Sequence, residues 1–358
     1  MILSSRSASP ARVGARCLEV RFAPDAPVDP VEHQTMQEAW AQPRAAGMAV
    51  VPRGVGMGGK APMSRLVPPL AIMAAWLHAV APAAAQTQSV VHLEETTASP
   101  ALGRGLPHVV YTPPGYDPAG PAPASVYLLH GTRSRGVEWI TMAKAQATLD
   151  RLILGGQLRP VVVVMPDAQN SWYVDSKAVG GPGDYETAIA RDLVAQIESK
   201  WHTAPTRARR AIAGISMGGF GALRIGFAHP QLYAAAASMS GAFWLRSDQA
   251  RLPPDVARRI FQGAFGDPIE RARFEALGPL GMAAKLNGAA PPSLFLIAGR
   301  EDHFQTLPES RALAAALAER SIQVEIDDVP GGHEWGTWEI SLEPVLMFIE
   351  RAFRAAGN

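Results

Sequence analysis

The sequence predicts an α/β fold, with a mostly parallel central sheet and helices on both faces. Three observations carry this. Short apolar runs alternate with longer helical patterns from Gln86 onward. Most runs lack polar alternation, as strands covered on both faces do. With 47% hydrophobic residues among 358, the chain can also bury a sizeable core.

HVVYTPPGYD (108–117) reads as an outer strand ending in a Pro-Pro-Gly turn. SVYLLHG (125–131), VVVVMPD (161–167), RAIAGIS (210–216), AAAASMSG (234–241) and SLFLIAG (293–299) read as inner strands. Between them AKAQATLDRLILGG, DYETAIARDLVAQIESKW and ESRALAAALAERS carry apolar residues at helical spacing, such as Ile189, Leu193 and Ile197. VEIDDVP (324–330) is a last strand before a helix around Glu343 to Phe353. Residues 242–290 are Pro-interrupted and read as a helical excursion over one end of the sheet. Ligands of open parallel sheets bind at the strand C-terminal ends, so this excursion is expected to wall a site.

A net charge of +1 offers no electrostatic case for nucleic acid or an anionic membrane surface. Cys17 is the single cysteine, which excludes an intramolecular disulfide and a Cys-based zinc site. Residues 1–62 lack a sustained apolar period and are expected to be disordered or a mis-annotated leader. Residues 63–85 run from Arg65 through an apolar stretch to Ala83-Ala84-Ala85, the order of a cleaved signal peptide. A periplasmic or secreted domain over 86–358, translated from Met63, with no stable membrane insertion after cleavage, is the expectation. GVGMGGKA (54–61) nearly spells a phosphate loop, but Ala61 has no hydroxyl for magnesium.

AIAGISMGGFGALRIG (211–226) sets Ser216 between Gly214 and Gly218, at the end of an apolar strand and directly before a helix. G-x-S-x-G is common in a chain with 33 glycines; the strand–turn–helix context makes it a nucleophile elbow. Gly219 and Gly221 would let the helix pack closely on neighbouring strands. A serine hydroxyl needs a base, and His229, His303 and His333 follow it. His229 precedes Pro230 at a helix end, His303 adjoins a carboxylate, and His333 sits in a glycine turn after the last strand, free to reach the elbow. Glu301 and Asp302, just past a buried strand, are both candidates to orient that base. The oxyanion donors are expected to be the N–H groups of Met217 and, from the LLHGT loop, Thr132, with His130 a structural histidine. Trp172, Tyr173 and Trp335 could offer flat rings to a substrate; the alternative for each is core packing.

The segments TPPGYD, YLLHGT, PDAQNSWYVD, YETAIARDL, AGISMGGFGAL, AGREDHF and PGGHEWGTW, spread over residues 108–340, resemble the esterase D–like family of α/β-hydrolases. That family includes feruloyl and acetyl esterases, S-formylglutathione hydrolases and mycolyltransferases. The resemblance implies an α/β-hydrolase fold, a triad of Ser216, Asp302 and His333, and Met217 and Thr132 as oxyanion donors. One departure is Arg133, where a further glycine would follow HGT.

The expected function is an exported serine carboxylesterase acting on short-chain acyl or aryl esters, small molecules or carbohydrates, without cofactor or metal. The rivals are an acyltransferase moving an acyl group to a sugar hydroxyl and a non-catalytic carbohydrate-binding relative.

Overall fold

Six consecutive strands of the chain lie parallel because each is joined to the next by a crossover that returns over a sheet face. In the computed structural model, residues 88–245, 252–286 and 288–357 are described. The leader and the signal sequence expected over 1–62 and 63–85 lie outside them. Among the described residues eight strands form, β1 (Val90–Ser99), β2 (Arg104–Thr112), β3 (Ala124–Leu129), β4 (Val161–Pro166), β5 (Arg210–Ile215), β6 (Ala235–Met239), β7 (Ser293–Gly299) and β8 (Glu325–Val329). Their order across the sheet is β1-β2-β4-β3-β5-β6-β7-β8. From β3 and β4 through β8 every pairing is parallel, while β1 with β2 and β2 with β4 are antiparallel.

Every residue of β3, β4, β5 and β6 is buried, which explains their unbroken apolar runs. On one face Val126, Leu128, Ala211, Ala213, Phe295 and Ile297 pack into a core shared with two helices, α2 (Ala145–Leu154) and the C-terminal α9 (Trp335–Ala356). Leu342, Val345, Leu346 and Ile349 supply the α9 stripe. Full burial of such side chains is worth roughly 1.5–3 kcal/mol each. The opposite face is packed by α4 (Met217–Ala228), which rests on β5 and β6. α1 (Glu138–Thr141) precedes α2, and α3 (Val194–Lys200) is entered through Tyr185–Thr187 and a π-helical Ala188–Leu193.

Two expectations change in detail. The strand read at 108–117 is not outermost, because β1 pairs outside it; β1 mixes polar and apolar residues and is half exposed, so it carries no continuous apolar signal. The last helix begins at Trp335 rather than near Glu343 and runs through Pro344, held by the apolar stripe despite the amide hydrogen that Pro344 lacks. Among the described residues the excursion at 242–290 is helical, as expected, with three short helices, α5 (Pro254–Phe261), α6 (Arg271–Leu277) and α7 (Pro279–Ala283). α8 (Thr306–Ala318) follows β7. Among the described residues no helix is long and apolar enough to cross a membrane.

Candidate active site

β5 ends at Ile215 and α4 begins at Met217, so Ser216 alone makes the turn, with φ 53° and ψ −117°. A non-glycine residue held there costs roughly 1–3 kcal/mol and needs support from its surroundings. The backbone supplies it. Ser216 N–H donates to Met239 C=O at 2.9 Å, and Ser216 C=O accepts from Phe220 N–H and Ala242 N–H, each at 3.1 Å. The flanking glycines are needed for close approach: a Cβ on Gly214 would overlap the Gly218 carbonyl, and one on Gly218 the Leu129 carbonyl. Gly219 lies against Ser238 of β6, as close packing on a strand predicts. Gly221 does not: its missing Cβ leaves room for the Tyr173 ring, which comes from a loop.

His333, in the turn between β8 and α9, brings Nε2 to 3.0 Å from Ser216 Oγ and Nδ1 to 2.8 Å from Asp302 Oδ2. An ionised carboxylate can only accept, so the imidazole proton sits on Nδ1 and Nε2 is left to accept from the serine hydroxyl. Asp302 is 5% exposed and also accepts from Thr306 Oγ1 at 2.5 Å and from Phe304 N–H at 2.9 Å. Burial opposes its ionisation, but the His333 contact and these two hydrogen bonds outweigh that and hold its carboxyl below the usual value. Glu301 is exposed and accepts instead from Gly331 N–H.

Met217 stands at the first position of α4, where a helix leaves its N–H groups without intrahelical acceptors. The chain after β3 closes on the same point, since a Cβ on Gly131 would lie 3.4 Å from Ser216 Cβ. Thr132 follows directly. His130 is fully buried: its Nε2 accepts from Ala168 N–H at 2.9 Å, so its Nδ1–H donates to Gly131 C=O at 2.7 Å. Burial pushes its pKa down, which suits a neutral structural ring.

The flat-ring expectation for Trp172 and Tyr173 needs correction. Trp172 is 1% exposed, donates Nε1–H to Ile260 C=O at 3.0 Å, and packs against Phe220, Trp244, Phe261, Phe265 and Phe274. Tyr173 is 0% exposed. Neither ring has a face left for a substrate. Trp335 is part-buried and packs edge-on against Trp139 and Trp338 at 5.8 and 5.1 Å. The rings that flank His333 are instead Phe304 at 4.7 Å and Trp338 at 5.1 Å, both nearly perpendicular to it. Trp338 was legible only as a residue five positions beyond His333, and Thr306 as a hydroxyl four beyond Asp302.

Among the described residues no three His, Cys, Asp or Glu side chains group as a metal site requires. The family model described as "Putative esterase" matches residues 99–349. The chain belongs to this esterase family. An esterase of Mycobacterium tuberculosis (strain H37Rv) is 31% identical over 194 residues, 49% of this chain and 42% of that protein. The chain thus spans about two fifths of that relative's length. An acetyl esterase of Caldicellulosiruptor saccharolyticus is 24% identical over 60% of this chain and 78% of its own. A solved ferulic acid esterase superposes with a TM-score of 0.57 at 24% identity, covering 75% of this chain and 100% of that one. The chain has the α/β-hydrolase fold of such neighbours.

Proposed function

We propose that this chain is a serine carboxylesterase in which Ser216 attacks the ester carbonyl, His333 takes the hydroxyl proton and Asp302 orients His333. The observation that carries this is the unbroken relay from Ser216 Oγ through His333 to Asp302, at 3.0 and 2.8 Å, on a serine held at φ 53°. His333 Nε2, once protonated, returns its proton to the leaving alkoxide, and water then resolves the acyl-enzyme by the same base. The N–H groups of Met217 and Thr132 are the proposed donors to the oxyanion, each worth about 3–4 kcal/mol to the barrier.

For substrate, we propose acetyl, other short acyl or aryl esters, borne on small molecules or carbohydrate. The apolar space beside α4 is occupied by the packed rings of Trp172, Phe220, Phe265 and Phe274, which argues against a long acyl groove there. The acetyl esterase relative is consistent with that size. Each further buried methylene contributes about 0.8 kcal/mol only where a groove receives it, so kcat/KM on p-nitrophenyl esters should peak at roughly two to four carbons. A maximum at about twelve carbons would overturn the short-chain reading. Fluorophosphonate labelling of the native chain but not of Ser216→Ala tests the nucleophile, and a label on the variant would overturn it. Transfer to a sugar hydroxyl competes with hydrolysis at the last step, and product analysis with sugar acceptors separates the two.

We also propose export, supported by the Arg65 to Ala85 segment. Terminal sequencing of the protein recovered outside the cytoplasm should begin near Gln86. A mature chain carrying residues 1–62 would refute it.

A further inference from the structure

The loop after β4 grips the loop after β3 at three points that bracket Gly131 and Thr132. Ahead of them, Tyr173 O–H donates to His130 C=O at 2.8 Å, and Ala168 N–H donates to the His130 ring at 2.9 Å. Beyond them, Arg133 N–H donates to Asn170 Oδ1 at 2.6 Å. The Gly131–Thr132 peptide between these clamps carries the N–H proposed as an oxyanion donor.

Both loops are conformationally costly. Arg133, Gln169, Trp172 and Tyr173 all have φ between 52° and 59°. Four such residues cost roughly 1–3 kcal/mol each, which persists only where the contacts over-determine the shape.

Tyr173 is itself tied to the nucleophile helix. Arg224 of α4 donates Nη1–H to Tyr173 C=O at 2.7 Å, and pairs through Nη2 with Glu186 Oε2 at 2.6 Å. The Tyr173 ring occupies the space that Gly221 of α4 leaves open. A Cβ on Gly218, in the first turn of α4, would also approach His130 C=O, the acceptor of the Tyr173 hydroxyl, at 2.7 Å. Tyr173 therefore touches both halves of the site: the helix that carries Ser216 and the carbonyl one peptide before the Gly131–Thr132 link.

We propose that Tyr173 and Asn170 are positioning residues for the oxyanion site, holding the Thr132 N–H in register with Ser216. Their side chains act through the β3 loop and do not touch the ester. This rests on the reading of Ser216 as nucleophile and Thr132 N–H as oxyanion donor. A donor set that is displaced stabilises the tetrahedral oxyanion less, while ground-state binding of the ester changes little.

The test uses the full chain with Tyr173→Phe, which removes one oxygen and keeps the ring, and Asn170→Ala, whose side chain lies outside the aromatic cluster. For each, kcat and KM on p-nitrophenyl acetate are measured together with Ki for phenylboronic acid, whose tetrahedral serine adduct mimics the oxyanion, and with the melting temperature. The expected result is a fall in kcat of about 10- to 100-fold with KM little changed. Boronate affinity should fall in parallel, in variants still folded at the assay temperature. A kcat close to wild type in both variants, or a fall in kcat with boronate affinity intact, overturns the proposal. If Tyr173→Phe does not fold, Asn170→Ala decides alone. Ser216→Ala measured alongside separates the layers. Its inactivity with wild-type-like Tyr173→Phe and Asn170→Ala sinks only this proposal, whereas an active Ser216→Ala sinks the underlying reading and this proposal with it.

Discussion

His333 Nε2 lies 3.0 Å from Ser216 Oγ, although 117 residues separate the two along the chain. The contact forms because β5 and β8 end at the same edge of the sheet. Two strands, β6 and β7, lie between them, and the turn after β8 reaches back across both.

The acid partner can be assigned by paired substitutions. Asp302→Asn keeps the shape but presents an amide to His333 Nδ1, and kcat for ester hydrolysis should fall by about 10⁴-fold. Glu301→Gln alters an exposed side chain that only braces Gly331 N–H, and should cost far less. The reverse ranking in steady-state assays would move the acid to Glu301.

Phe304 and Trp338 each pack against the His333 ring with their planes steeply inclined to it, at 76° and 88°. Trp338→Leu should loosen the imidazole and lower kcat by up to about 10²-fold, with KM much less affected. Equal losses in kcat for Trp338→Leu and for a distant core truncation of matched stability would argue against a specific effect on His333.

Two glycines of helical segments should respond in opposite directions. Gly218→Ala drives a methyl into the Leu129 carbonyl, a backbone atom that cannot rotate away, and should destabilise by about 1–3 kcal/mol or more. Gly336→Ala, in the first turn of α9 with open space around it, should stabilise by about 0.4–1 kcal/mol. Urea denaturation of the two variants measures both.

Acid should weaken the tie between α4 and the segment around Tyr185. Burial opposes ionisation of Glu186, but hydrogen bonding to His229 and the Arg224 charge hold its carboxyl at about 2, below its ordinary 4.5. The folded state therefore binds fewer protons than the unfolded chain in this range, so stability rises with pH. Its contribution is whole above about 4.5 and is lost as pH falls toward 2. Melting temperature should drop between pH 4.5 and 2 by more in the native protein than in Glu186→Gln, already destabilised at pH 7 by leaving Arg224 buried without its partner. Parallel pH profiles for the two would refute this role.

The inner strands and the elbow were legible in the sequence because their physics is local. β3 to β7 are buried on both faces and so read as apolar runs, and the turn at Ser216 needs glycine at Gly214 and Gly218 wherever it occurs. β1 carries no such signal because a half-exposed edge strand has no apolar run, and Pro344 hides the first turns of α9, a helix that tertiary packing restores. The residue types of the site could be read along the chain: one serine on a strand–helix turn, a histidine after the last strand, two adjacent carboxylates after the one before it. Which carboxylate faces His333, and the burial of Trp172 and Tyr173 in the core, follow from long-range packing instead. Neighbouring residues in a loop look alike in sequence. What separates Asp302 from Glu301 is that one accepts hydrogen bonds from His333, Thr306 and Phe304 N–H while the other faces water, and those contacts come from the folded arrangement of the loops.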